Sequence, residues 1–182
     1  MKRTETQIQG CAVIEPDVFQ DHRGVFFESY NQEKFQALGI SDVFVQDNHS
    51  TSVSGVLRGV HFQYPPKPMA KLVRCSRGVV FDVVVDMREN SASFKQWIGV
   101  ELSQENRQMV YVPVGCAHGF YALTECEVLY KCAAIFDSTL DGGFAWNDPE
   151  IGIAWPLAGQ PILSDRDRQL PSFSDVIGNR RL

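Results

Sequence analysis

Val79-Val80-Phe81-Asp82-Val83-Val84-Val85-Asp86 is the stretch that decides the fold class. It is dominated by valine, whose β-branched side chain favours extended backbone over helix. Gly78 precedes it and the polar run Arg88-Glu89-Asn90-Ser91 follows it, so it reads as one strand between turns. Outward from it, similar short runs are predicted as strands over Trp97 to Leu102, Gln108 to Val112, Gly119 to Leu123 and Glu127 to Phe136. Turn residues separate them at short, fairly regular intervals, the pattern of an all-β sandwich or barrel. One helix is predicted over Gln32 to Leu38, with Asn31 as N-cap and Gly39 as C-cap. A short helical piece is expected near Asp165–Gln169. No repeat, low-complexity segment or linker interrupts the chain, so residues 1–182 read as a single domain.

Composition narrows the class. The chain has 182 residues, enough for a full core, with ordinary hydrophobic (44%) and charged (21%) fractions. A net charge of −5 argues against a general nucleic-acid or anionic-membrane surface, so any cations that matter act locally. The five cysteines, Cys11, Cys75, Cys116, Cys126 and Cys132, are odd in number and form no CxxC pair. Reduced, mostly buried thiols in a cytoplasmic protein are expected. Met1 to Thr6 leads into no apolar segment, so no signal peptide is expected. The longest uncharged run, Gln108 to Thr124, is broken by Pro113, Gly115 and Gly119 and is too short to cross a membrane.

Period-two alternation sorts residues into faces. Tyr130 is expected to share a face with Val128, Cys132, Ala134 and Phe136. Asp82 is expected to share one with Val80 and Val84, at a barrel mouth or paired with a cation in the lumen. The segment Leu57-Arg58-Gly59-Val60-His61-Phe62-Gln63, followed by Lys71-Leu72-Val73-Arg74, sets one of only four histidines close to two cations, an Arg and a Lys. Nearby positive charge disfavours imidazolium, which keeps His61 a neutral base near pH 7. Such a base beside a cation suits proton abstraction next to a carbonyl. The same segment also fits a strand histidine with surface cations around it. Ideal alternation sends Arg58 and His61 to opposite faces, and a bulge at Gly59 is needed to bring both inward.

Taken together, the motifs resemble a known family. They are Phe19-Gln20-Asp21-His22-Arg23-Gly24-Val25-Phe26-Phe27-Glu28, Phe44-Val45-Gln46-Asp47-Asn48-His49-Ser50, Leu57 to Gln63 and Lys71 to Cys75. They continue in Val112-Pro113, Ala117-His118-Gly119-Phe120, Leu129-Tyr130-Lys131 and Trp146-Asn147-Asp148-Pro149. They end in Ile151-Gly152-Ile153, Trp155-Pro156 and Ile162-Leu163-Ser164-Asp165-Arg166-Asp167. In this order they resemble the dTDP-4-dehydrorhamnose 3,5-epimerases and related nucleotide-sugar epimerases, over nearly the whole chain.

The resemblance implies a cupin-type jelly-roll barrel and a homodimer with swapped N-terminal strands. It implies a nucleotide-linked 4-keto sugar as substrate, and neither metal nor redox cofactor. Independently, His61-Phe62-Gln63 lacks the His-x-His of a metal-binding cupin. By resemblance His61 is the general base and Asp167 its carboxylate partner. Tyr130 is the acid on the opposite face and Lys71 the cation at the enolate. Phe19, Arg23, Glu28, Gln46, Asn48, Arg58, His118, Phe136, Asp141 and Arg166 are substrate-binding positions.

Three departures stand out. Ile135-Phe136 replaces a Tyr-Tyr pair, Asp141 a Glu and Arg166 a Lys. The lost hydroxyl at Phe136 opens a second reading, inversion at carbon 3 or carbon 5 alone, or a different nucleotide or heptose. A third reading is a non-catalytic sugar-binding module, against which the joint presence of His61, Asp167, Tyr130 and Lys71 argues. Trp97, Trp146 and Trp155 are expected in packing roles, His22 and His49 in local hydrogen bonds, and Asp47 and Asp148 in turns.

Overall fold

The computed structural model describes residues 1–178, so the last four positions of the expected 1–182 domain lie outside the described residues. The chain opens with β1 (Lys2–Glu5), β2 (Ala12–Glu15) and the hairpin β3 (Val18–Asp21) and β4 (Gly24–Phe27), then α1 (Gln32–Ala37). Next come β5 (Gln46–Ser52), β6 (Leu57–Gln63), β7 (Lys71–Arg77), β8 (Val79–Asp86) and β9 (Trp97–Ser103). The chain ends with β10 (Met109–Val112), β11 (Cys116–Ala122), β12 (Cys126–Cys132), β13 (Asp141–Gly143), a 3-10 turn at Asp167–Gln169, and α2 (Phe173–Gly178).

Two antiparallel sheets face each other. The first runs β1-β2-β10-β7-β12-β5 and the second β13-β6-β11-β8-β9. This is the cupin-type jelly roll, and the expected all-β class holds. Crossovers carry the chain from sheet to sheet, so strands distant in sequence share one lumen.

Each sheet is covered on both faces. Val73, Val80, Val84, Val110, Phe120 and Val128 pack between the sheets. On the outer face of the second sheet, Val83 and Val85 pack under Phe144, Phe173 and Val176 from the C-terminal segment. The outer face of the first sheet holds Ala12, Ile14, Leu72 and Tyr111 against Phe35 of α1 and Ile40. Burial on both faces explains why β8 reads as a nearly unbroken apolar run rather than an alternating one. Asp82 does share the inward face with Val80 and Val84, as alternation requires.

Local signals hold where they are local. The Asn31 side chain accepts from the Lys34 backbone N–H and caps α1, and Gly39 follows the helix with φ near +78°. Leu38, not Gly39, is the C-cap itself. All five cysteines are buried and unbridged.

The strand expected over Glu127 to Phe136 stops at Cys132. The reason is register: Cys132 pairs with Gln46, the first residue of β5, and with Lys71, the first of β7. Beyond it one backbone bond remains, from the Ala133 N–H to the Ala70 carbonyl at 2.9 Å, and the chain then leaves the sheet as a loop up to β13. Phe136 therefore does not share a strand face with Tyr130. The hairpin β3–β4 is exposed along both strands and belongs to neither main sheet.

Candidate active site

A cavity of about 490 Å³ opens between the sheets. Its lining includes His61, Lys71, Tyr130 and Asp167, all four expected catalytic positions. Asn48, Arg58, His118, Phe136, Asp141 and Arg166 also line it.

Arg58 and His61 reach the same cavity because β6 is irregular. His61 pairs with His118 on β11, while Arg58 pairs with Phe120, so three steps on β6 span two on β11. Gly59 sits inside this bulge with φ near +125°. A Cβ there would lie 2.6 Å from the Gly119 Cα, and one on Gly119 would lie 2.7 Å from the Arg58 carbonyl oxygen. The two glycines let adjacent backbones touch, which re-aims Arg58 inward.

His61 Nε2 lies 2.6 Å from Asp167 Oδ1. The imidazole is 24% exposed to the cavity, whereas the carboxylate behind it is 5% exposed. Asp167 is delivered by the 3-10 turn, whose start is held by its own N–H donating to Ser164 Oγ at 3.1 Å. Burial pushes the Asp167 carboxyl up, but the His61 hydrogen bond and charge, with the Gly59 N–H and Ser164, outweigh it and leave it below the ordinary aspartate range. An ionised carboxylate behind an imidazole fixes its orientation and stabilises the imidazolium that forms when it takes a proton.

His118 forms a second pair. Its Nε2 lies 2.8 Å from Asp82 Oδ2, and the two side chains are 8% and 0% exposed. Asp82 thus meets the lumen-pair expectation, with a histidine as its partner.

Lys71 and Tyr130 come from the other sheet. They start β7 and lie near the end of β12. Desolvation lowers Lys71 below the usual lysine range, opposed by Cys132, Asp141 and Asp82 and reinforced by Arg166. Burial raises the Tyr130 phenol, Cys132 and Asp141 adding to it, while a hydrogen bond from Asn48 and the charge of Arg58 act downward. Sheets in such sandwiches lie about 10 Å apart, room for one sugar ring between base and phenol.

Arg58 is anchored by Nε to Ser52 Oγ at 3.0 Å and by Nη2 to the Thr51 carbonyl at 2.9 Å. Arg166 and Asp141, the two charge-conserving departures, pair with each other at 2.7 Å. Phe136 enters the lining from the loop after β12, and its N–H donates to Gln46 Oε1 at 2.9 Å. Gln46 itself is not part of the lining.

Three further expected residues lie elsewhere. Phe19 and Arg23 sit on the exposed β3–β4 hairpin, where Arg23 pairs with Asp21 at 2.6 Å. Glu28 pairs with Lys34 and accepts from Asn31 at 3.0 Å. None lines the cavity of this chain. Asp47 is not in a turn but on β5, paired with Lys131 at 2.8 Å, whereas Asp148 does cap a turn through the Glu150 N–H. Sequence reasoning missed Ser50, which lines the cavity, and Ser52, which anchors Arg58. Their signal was the period-two series Gln46, Asn48, Ser50, Ser52 on the inward face of β5. Among the described residues, no group of three or more His, Cys, Asp or Glu is placed to hold a metal ion.

The fold and site define a cupin-type barrel whose lumen sets a carboxylate-backed imidazole on one sheet against a phenol and a lysine on the other. The chain matches the dTDP-4-dehydrorhamnose 3,5-epimerase family over residues 5–175 and belongs to it. It is 50% identical over 167 residues to the dTDP-4-dehydrorhamnose 3,5-epimerase of Methanothermobacter thermautotrophicus, covering 90% of each chain. The solved structure of a Mycobacterium tuberculosis epimerase is 42% identical, with a TM-score of 0.97 over 100% of this chain and 93% of that one. A 3'-monoepimerase from Streptomyces bikiniensis, solved in complex with dTDP-quinovose, is 35% identical with a TM-score of 0.88, over 95% of this chain and 89% of that one.

Proposed function

We propose that the protein epimerises a dTDP-linked 4-keto-6-deoxy sugar, of the dTDP-4-dehydro-6-deoxy-D-glucose to dTDP-4-dehydro-L-rhamnose type, without a cofactor. The observation that carries this reading is the meeting of His61, backed by Asp167, with Tyr130 and Lys71 in one cavity from opposite sheets. The 4-keto group acidifies the protons on carbons 3 and 5. His61 removes one from its side and becomes an imidazolium facing Asp167. Lys71 stabilises the enolate oxygen. Tyr130 gives its proton from the other side, which inverts the carbon and leaves a phenolate; once His61 has lost its proton to solvent and Tyr130 has regained one, a second such cycle inverts the neighbouring carbon. Arg58, already oriented by Ser52 and Thr51, suits the diphosphate. Asn48, His118, Phe136, Asp141 and Arg166 surround the sugar, and Gln46 stands behind them.

Phe19, Arg23 and Glu28 act on a second copy of the chain in this reading. The β3–β4 hairpin exposes Phe19 (64%) and Phe26 (68%) beside Arg23, an aromatic and cationic surface suited to a nucleotide in a partner's cavity. The protein is then a homodimer of single-domain protomers with exchanged N-terminal strands. Buried, unbridged thiols fit the reducing cytoplasm, and no helix among the described residues is long and apolar enough to cross a membrane.

The test is solvent deuterium incorporation into the 4-keto sugar, run with and without a chelator. Exchange at carbons 3 and 5 with formation of the inverted product, unaffected by EDTA, is the expected result. No exchange with any 4-keto nucleotide sugar overturns the reading. Phe136 favours a second reading, inversion at one carbon only, since a phenyl ring stands in the lining where the family carries a tyrosine.

A further inference from the structure

Gln63 ends β6, two positions after His61, and lines the same cavity. It is buried, and its carboxamide is engaged by backbone rather than open to a ligand. Nε2 donates to the Lys67 carbonyl at 2.6 Å and to the Ile135 carbonyl at 3.3 Å, and Oε1 accepts from the Asp137 N–H at 2.9 Å. Both donors and the acceptor are therefore in use. Carbonyls only accept and an N–H only donates, so the three partners fix which way the amide faces.

The partners belong to two loops. Lys67 lies in the β6–β7 connection, and Ile135 and Asp137 flank Phe136 in the loop from β12 to β13. Gln63 thus holds the residue before Phe136 by its carbonyl and the residue after it by its N–H. The Phe136 N–H itself goes to Gln46, a tie from the other sheet. The phenyl ring has no polar atom of its own to hold it, and the residue is half-exposed, so its place in the cavity wall depends on its backbone. Lys67 Nζ also meets Asp137 Oδ2 at 2.8 Å, but that lysine is exposed, and a solvated ion pair restrains a loop weakly. The buried amide is the stronger tie between the loops.

We propose that Gln63 is a positioning residue, which clamps the peptide groups on either side of Phe136 to the β6–β7 loop and so holds the phenyl ring where it sets the relative rates of proton loss at carbons 3 and 5. This rests on the function proposed above, and Gln63 touches no reacting atom in it. His61 is a single base, whereas carbons 3 and 5 are two sites, so the sugar presents them in two different poses. A wall fixed at Phe136 favours one pose over the other. A displacement of about 1 Å in such a wall changes a rate by up to about 10²-fold. Because the two poses meet the ring differently, a loosened clamp alters the two rates unequally. Loss of folded protein would lower both alike and leave their ratio unchanged.

The test has a substrate-free arm and a kinetic arm. Gln63→Met keeps the length of the side chain and removes all three bonds. Amide hydrogen exchange of segment 133–140, read by mass spectrometry, should quicken by about tenfold or more, with the rest of the barrel unchanged. With the 4-keto sugar in deuterium oxide, the ratio of exchange at carbon 3 to that at carbon 5 should move by about threefold or more, toward the ratio of Phe136→Ala. The double variant should match Phe136→Ala alone, because Gln63 acts only through that ring. Unchanged protection of the segment in Gln63→Met overturns the proposal, and so does an unchanged ratio in either single variant. A double variant whose ratio goes beyond that of Phe136→Ala makes Gln63 a contact of the sugar and overturns it too. If Gln63→Met does not fold, Gln63→Glu serves, since it keeps the acceptor for the Asp137 N–H and loses both donors. If wild type exchanges no 4-keto nucleotide sugar, the proposed function fails and the rate-setting role with it, while the substrate-free arm still decides the clamp.

Discussion

His61 and His118 stand directly opposite each other across the β6–β11 ladder, and each is paired through Nε2 with its own carboxylate. The pairs differ in access. His61 opens to the cavity at 24% exposure, while His118 is 8% exposed over a fully buried Asp82. Equal chemistry in unequal burial predicts unequal consequences of removal. His61→Asn should lower turnover by about 10²–10⁴ with the fold intact, the usual effect of losing one acid–base group. His118→Asn should leave the buried Asp82 side chain without its 2.8 Å imidazole partner and cost about 1–3 kcal/mol of stability. Deuterium exchange and urea unfolding on the two variants check this; equal stability losses would contradict it.

Tyr130→Phe should separate proton removal from inversion. His61 still forms the enolate and Lys71 still faces it, so solvent deuterium enters the sugar. Without the phenol, net inversion should fall much further than exchange. Proportional loss of both would mean that Tyr130 is not a dedicated acid on the second face.

Phe136 bears on how many carbons invert. With a phenyl ring in the lining, wild type should exchange one of carbons 3 and 5 faster than the other, and Phe136→Tyr should narrow the gap. Proton NMR of the exchanging sugar in deuterium oxide measures both rates, and equal wild-type rates would remove this role.

Asp86 should govern stability in acid. Its carboxylate is fully buried and accepts from Arg88 Nε at 2.7 Å and from Ser91 and Ser93 Oγ at 2.6 Å each. Burial pushes the group up, but these bonds dominate and hold it at about 2. The folded pKa is thus below the unfolded one. Its stabilising contribution is complete above the ordinary aspartate value and fades as pH falls through about 2. Asp86→Asn should cost about 1–3 kcal/mol near neutrality and flatten the decline in acid, as thermal unfolding across pH would record.

Gly59→Ala should destabilise the barrel by about 2–6 kcal/mol. It combines a positive φ with a Cβ placed 2.6 Å from backbone that cannot retreat. Normal stability in this variant would show that the bulge can relax.

Sequence alone determined the fold class, the α1 cap at Asn31 and which residues of β8 and β12 face inward. These depend on neighbours a few positions apart, on β-branching and on period-two geometry. It also placed ten of the residues that line the cavity among its candidates, through the ordered motifs. Tertiary structure decided where a strand stops, because β12 ends at Cys132, opposite the first residues of β5 and β7, rather than for want of β-forming residues. It brought Asp167 to His61 across 106 positions and paired His118 with Asp82 instead of leaving it free. It also set the amide orientation of Gln63. A hydrogen-bond direction depends on which groups meet in space, and a jelly roll joins strands from distant parts of the chain into one lumen.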